Sequence, residues 1–230
     1  MPEPQVSFIL PVYNAQAYVA AALDHDSALI HPSVMMRAAI VRELGGYRPV
    51  FEPAEDYDLW LRMIERCELA NLPDVLLHYR VHEGQVSAGR AFQQALARLG
   101  ALAAAHQRRS GKGDPVRDGD RVNLQTVLRW GVEPARAEHL LMAVSTGRID
   151  ALLARRDTRA AHATLEQTIE IFAAHRLSRA ARAQLDWLTA KIDLASGRRT
   201  RGYVRAARSC LADPMRLLRK LAGGAGGVHE

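Results

Sequence analysis

Cysteine is almost missing from this chain of 230 residues: Cys67 and Cys210 lie far apart and form no metal-binding or redox motif. That scarcity points to a reduced, cytoplasmic setting in which neither thiol carries chemistry. No stretch approaches the roughly 18 consecutive apolar residues of a membrane span. The N-terminus also lacks the basic segment and apolar core of a secretory leader. Lysine is absent from residues 1–90. That part holds 7 Arg against 12 Asp and Glu, a net of −5, whereas the remainder holds 24 basic against 13 acidic residues, a net of +11. Such asymmetry fits a surface that meets anionic partners, and it fits equally a basic face that is merely solvated.

What is present begins with an ordinary hydrophobic share, 48%, enough for one large or two small domains with a buried core. Val6–Leu10 is a β-branched and aromatic run stopped by Pro11 and reads as a buried strand. Ser33 is placed to cap a helix from Val34 to about Leu44, which Gly45 and Gly46 end. A second helix starts at Pro53-Ala-Glu-Asp-Tyr-Asp, with Leu59, Trp60, Met63 and Ile64 at helical spacing. Its first turn carries Glu55, Asp56 and Asp58, where unsatisfied N–H groups and the helix dipole favour carboxylates whether or not they do chemistry. Val75–Val81 is the next strand candidate, after the turn at Pro73 and Asp74.

Read in order, Ile30-His-Pro-Ser-Val-Met-Met-Arg37, Glu43-Leu-Gly-Gly-Tyr47, Ala54-Glu-Asp-Tyr-Asp-Leu-Trp-Leu61 and Tyr79-Arg-Val-His-Glu-Gly-Gln-Val-Ser87 resemble the acceptor-side half of the family 2 glycosyltransferases. Val6-Ser-Phe-Ile-Leu-Pro-Val-Tyr-Asn14 resembles the opening strand and turn of the same family. The resemblance implies a GT-A fold and transfer of a sugar from a nucleotide-sugar donor to a hydroxyl acceptor with inversion. By position in the family motif, Asp56 is the base that deprotonates the acceptor, with Glu55 supporting it and Asp58 a weaker candidate. Pro11 and Tyr13 are candidate base contacts for the nucleotide, and His31 lies beneath the acceptor pocket. By the same resemblance Arg80 or His82 faces the diphosphate. From the residues alone His31 reads as a packed turn residue, and Arg80 and His82 as strand-end partners of nearby carboxylates.

Between the two matching regions only the six residues Asp24–Leu29 intervene. A βαβ unit takes about 30 residues, so the chain resembles a family member with a large internal deletion of the donor-binding part, or a shortened gene model. Ala17–Asp26 has two registers, either a first helix or an apolar strand leading into an Asp-x-Asp. In the second register Asp24 and Asp26 are metal ligands, a pair suited to a divalent ion such as Mg²⁺ or Mn²⁺ that also binds phosphate oxygens. In the first they are loop residues.

Beyond Gly89 the sequence becomes helical in character. A helix is predicted over 91–108, a linker near 109–122, then segments at about 123–130, 134–145, 148–155, 158–175, 178–196, 200–211 and 213–222, with breaks at Gly147, Gly197 and Pro214. The alternation suits helix-hairpin arrays without a named repeat. Residues 200–221 combine Arg201, Arg205, Arg208, Arg216, Arg219 and Lys220 with Tyr203, Val204, Leu211, Met215, Leu217, Leu218 and Leu221. Such helices either lie on an anionic membrane, peripheral to its inner face, or pack on their own domain. No specific nucleic acid is expected, and the Gly-rich tail 223–230 reads as disordered. The expectation is an α/β first part, a truncated GT-A remnant over 1–89, followed by an α-helical region over 90–230. Its function class is glycosyltransferase-like, with a non-catalytic binding or scaffold protein as the rival.

Overall fold

The computed structural model describes residues 16–24, 27, 29–72 and 90–213. The expected strands Val6–Leu10 and Val75–Val81 lie outside these residues. So do Pro11, Tyr13, Asp26, Arg80 and His82, the segment 214–222 and the tail.

Among the described residues every regular element is helical, and this overturns the α/β expectation for the first part. The helices are α1 (Gln16–Leu23), α2 (Ala38–Glu43), α3 (Glu55–Met63), α4 (Ala91–Arg109), α5 (Leu124–Arg129), α6 (Pro134–Ala154), α7 (Thr158–Ile171), α8 (Arg179–Ala195) and α9 (Arg199–Ala212), with 3-10 turns at His31–Ser33 and Pro49–Phe51. The Ala-rich run after Asn14 takes the helical register. A helix satisfies its backbone groups within itself, whereas a strand needs a paired neighbour that the short interval before Ile30 leaves no room to supply. The chain divides into two compact units, Met1–Val132 and Glu133–Glu230.

In the first unit α3 packs against α4. Nearly every face of α3 is covered: Tyr57, Leu59, Trp60, Leu61 and Met63 are all buried. Fully burying side chains of this size contributes about 1.5–3 kcal/mol each. Opposite them α4 offers small residues, Ala97, Ala101, Ala104 and Ala105, whose spacing makes one face of a helix built from the strongest helix former. Gly100 lies in that helix because a Cβ there would stand 3.1 Å from the Trp130 ring and 3.4 Å from the Phe51 ring. Val19 and Leu23 of α1 complete the cluster, and the Tyr57 hydroxyl donates to the Leu23 carbonyl.

The first helix after His31 is shorter than its sequence suggests. Ser33 Oγ turns back to donate to the Ile30 carbonyl at 2.8 Å, so it caps nothing, and α2 begins only at Ala38. Gly45 and Gly46, both at positive φ, end it, and the Gly46 N–H bonds the Val41 carbonyl at 2.9 Å.

A chain of charges ties the turn at Arg48 to the linker beyond α4. Arg48 donates to Asp58 and, at 2.8 Å, to Asp114. Arg108 reaches Asp114 and Glu65, each at 2.9 Å. Burial works to raise the Asp114 carboxyl, but the Val116 amide and the two guanidinium groups outweigh it and hold it below the usual range.

In the second unit α6 packs on α7 and α8, and α8 pairs with α9. Side-chain caps start the inner helices: Asp157 accepts from the Ala160 N–H at 2.9 Å and Ser178 from the Ala181 N–H at 3.1 Å. Ile149, Ala161, Leu165, Leu188 and Ile192 form the core, beside a buried Ser145–Thr168 hydroxyl pair 2.9 Å apart. Gly147 does not break α6, which runs unbroken to Ala154. Glu138, near the start of α6, accepts from the Ser178 N–H at 2.9 Å and meets His175 Nε2 at 3.0 Å.

Candidate functional site

The acidic first turn of α3 sets three carboxylates in three environments. Asp58, two residues beyond Asp56, rotates inward and is fully buried. It accepts from Arg48 through both oxygens and from Arg62 Nε at 2.9 Å. Arg62 in turn donates to the carbonyls of Leu44 and Gly46, both at 2.7 Å. Every cation in this arrangement is matched, so Asp58 holds α3 to the Gly45–Gly46 turn and offers no oxygen to a substrate.

Asp56 faces outward. Its Oδ1 accepts from the Tyr57 N–H at 2.7 Å, which fixes the side chain at the helix start. Its Oδ2 lies 3.7 Å from His31 Nδ1, an electrostatic contact beyond hydrogen-bond reach. On the other side of the imidazole, His31 Nε2 is 2.9 Å from the Tyr47 hydroxyl. Partial burial first, then the negative charges of Asp56 and Glu55, push the Tyr47 phenol above its ordinary value. Where the Tyr47 hydroxyl donates to Nε2, a neutral His31 carries its own proton on Nδ1, toward Asp56. The opposite tautomer would aim a lone pair at a carboxylate. The His31 ring also stands nearly perpendicular to that of Trp60, with ring centroids 6.1 Å apart.

Two polar atoms in this region are buried without a hydrogen-bond partner: Glu55 Oε2 and Trp60 Nε1. Orphaned groups of this kind cost about 1–3 kcal/mol each and call for an explanation. One is an acceptor and the other a donor, on the helix that also carries Asp56.

The structure thus brings together Asp56, Glu55 and His31. It adds Tyr47 and Trp60, to which sequence reasoning assigned no role at the site. The signal for Tyr47 was its place directly after the helix-ending glycines, which carries the aromatic back toward the His31 turn. Asp24 stands apart, following α1, and its Oδ1 is engaged by Arg109 at 2.7 Å. An oxygen already paired with a guanidinium does not suit a divalent cation. Among the described residues no group of three His, Cys, Asp or Glu is arranged to hold a metal ion.

No protein-family model matches the chain, and no solved structure matches it. Part of the chain is similar to the O-antigen biosynthesis glycosyltransferase WbnJ of Escherichia coli, 36% identical over 63 residues that cover 26% of this chain and 24% of the relative. Part is also similar to an uncharacterized glycosyltransferase of Haemophilus influenzae, 38% identical over 68 residues that cover 29% of this chain and 24% of the relative. The chain therefore spans about a quarter of the length of these curated relatives. Over that share, it is related to glycosyltransferases.

Proposed function

We propose that the first unit carries the acceptor-activating side of a glycosyl-transfer site of the family 2 type. In this reading Asp56 takes the proton of an acceptor hydroxyl, and the freed oxygen attacks the anomeric carbon of a nucleotide-sugar donor. The bond from that carbon to the diphosphate breaks, its electron pair leaves with the nucleoside diphosphate, and the configuration inverts. A general base must lie within hydrogen-bond reach of the proton that it removes, and Asp56 is the carboxylate of α3 left facing outward without a cationic clamp.

The observation that carries the reading is the grouping of Asp56 with His31 and Tyr47; the helix of Asp56 also holds the buried, unpartnered Glu55 Oε2 and Trp60 Nε1. A saccharide offers hydroxyl groups, each able to donate to a carboxylate oxygen and to accept from an indole N–H. His31, oriented by Tyr47, directs its Nδ1 proton toward Asp56 and steadies the ionised carboxylate. A divalent ion, Mg²⁺ or Mn²⁺, neutralises a leaving diphosphate in chemistry of this kind. With the Asp24 oxygen held by Arg109, no step is assigned to a metal.

The rival reading, a non-catalytic binding or scaffold protein, of which a saccharide binder is the case tested, draws on the six-residue interval before Ile30 and on the engagement of Asp24 by Arg109. Titration of saccharide acceptors, followed by the indole N–H resonance of Trp60, tests the site. Assays with a set of nucleotide diphospho-sugars then test transfer. Expected are a shift of that resonance and turnover that disappears in Asp56→Asn while saccharide binding persists. Binding without turnover assigns the non-catalytic reading, and a Trp60 resonance unmoved by every saccharide defeats both.

A further inference from the structure

We propose that α9 is a membrane-docking surface that seats the second unit on an anionic lipid bilayer. Packing against α8 fixes how α9 is held. Its inner face meets α8 through Gly202, where a Cβ would stand 2.6 Å from Leu194, and through Ser209, whose hydroxyl donates to the Ala183 carbonyl at 2.7 Å. With that face fixed, the opposite one must point to solvent, and it is not polar. At about 100° per residue, Val204, Ala207 and Leu211 share one stripe. Val204 is 55% exposed and Leu211 76%, with Tyr203, 64% exposed, along one border.

The other border is cationic. Arg201 and Arg208 are exposed and make no ion pair among the described residues. Arg205, turned toward the inner face, spends its charge on Asp193 at 3.5 Å. The sequence of α9 contains four Arg and no Asp or Glu. A polar helix face in contact with water gains nothing from Leu and Val at its centre. A bilayer accepts such a stripe into its headgroup boundary while flanking guanidinium groups meet lipid phosphates.

The alternatives fit less well. Pairing with a second copy through the same face brings two cationic borders into one interface to which α9 contributes no carboxylate. Nucleic acid answers the charge and leaves the apolar stripe unused. Among the described residues no helix is long and apolar enough to cross a membrane, so the contact is peripheral. Met215-Arg-Leu-Leu-Arg-Lys-Leu221, which follows in the sequence, has the same mixed composition.

The test is flotation of the full chain with vesicles of phosphatidylcholine alone and with added phosphatidylglycerol, each at low and high salt. Two double variants, Arg201→Gln/Arg208→Gln and Val204→Ser/Leu211→Ser, accompany the wild type, with circular dichroism and melting confirming that each stays folded. Binding is expected only with the anionic vesicles, weakening as salt screens the attraction. The Arg variant is expected to bind roughly thirty-fold more weakly, and the apolar variant to lose binding at both salt concentrations. Equal behaviour in all four conditions, or full binding by either folded variant, overturns the proposal. A short oligonucleotide that binds the wild type and the apolar variant alike, while vesicles bind neither, reassigns the surface to nucleic acid.

Discussion

Asp56 and Asp58 stand two positions apart in one helical turn and meet opposite fates. Asp58 is fully buried between Arg48 and Arg62, where removing one partner leaves uncompensated buried charge and costs about 3–5 kcal/mol. Asp58→Asn is expected to lower the unfolding free energy by that amount in urea titration, whereas Asp56→Asn, whose amide still accepts from the Tyr57 N–H, should change it by less than about 0.5 kcal/mol. Equal losses would place both residues in the scaffold. Glu138 supplies a pH-dependent counterpart in the second unit. Burial works to raise its carboxyl, but the hydrogen bonds from Ser178 and His175 outweigh it and hold it below the ordinary value. The folded state therefore takes up this proton less readily than the unfolded state. The stability Glu138 contributes is full above the ordinary carboxyl range and is lost as pH falls through the lowered folded value. Melting of the wild type should thus fall more steeply between about pH 5 and pH 3 than that of Glu138→Gln, which should already be about 1–3 kcal/mol less stable at neutral pH. Parallel acid limbs would remove Glu138 from the account.

Helices that carry their own start signals were legible in the sequence. The expected segments at about 158 and 178 coincide with helices that Asp157 and Ser178 cap, Gly45 and Gly46 end α2, and the apolar spacing of Leu59, Trp60 and Met63 marks the buried face of α3. What could not be read was decided by competing local partners or by partners distant in sequence. Ser33 has two acceptable uses for one hydroxyl, and the Ile30 carbonyl wins. The inward turn of Asp58 depends on Arg48, ten residues earlier, and the pairing of His31 with Tyr47 spans 16 residues. Gly147 misled because a glycine weakens a helix without ending it when the flanking residues still bury a face. Nothing lies within 4 Å of a Cβ added there. Gly147→Ala should therefore stabilise the second unit by about 0.4–1 kcal/mol. Gly202→Ala should act oppositely, because its Cβ meets Leu194 at 2.6 Å and the Ala190 carbonyl at 3.2 Å, and overpacking costs about 1–3 kcal/mol. Thermal melts of the two variants check the pair, and a shift of the same sign in both would show that propensity rather than packing governs.

At the scale of the whole molecule, each unit has its own core and its own polar ties. In the first unit the ties run through the charges that join Asp58, Arg48, Asp114, Arg108 and Glu65. Arg48 and Asp114 are 66 residues apart in sequence. Closing so long a loop has an entropic cost that must be met before the contact contributes anything, so contacts of this separation tend to form late. An interaction missing from the transition state governs the rate of opening and leaves the rate of closing alone. Asp114→Asn should accordingly steepen loss of the native state, with a several-fold faster unfolding limb in stopped-flow denaturation and an unchanged folding limb. A slowed folding limb would put the clamp in the nucleus instead. If the unfolding limb alone responds, the clamp is a lifetime device. It sets how long the Asp56 region stays assembled once formed, and has no part in how quickly the chain finds it.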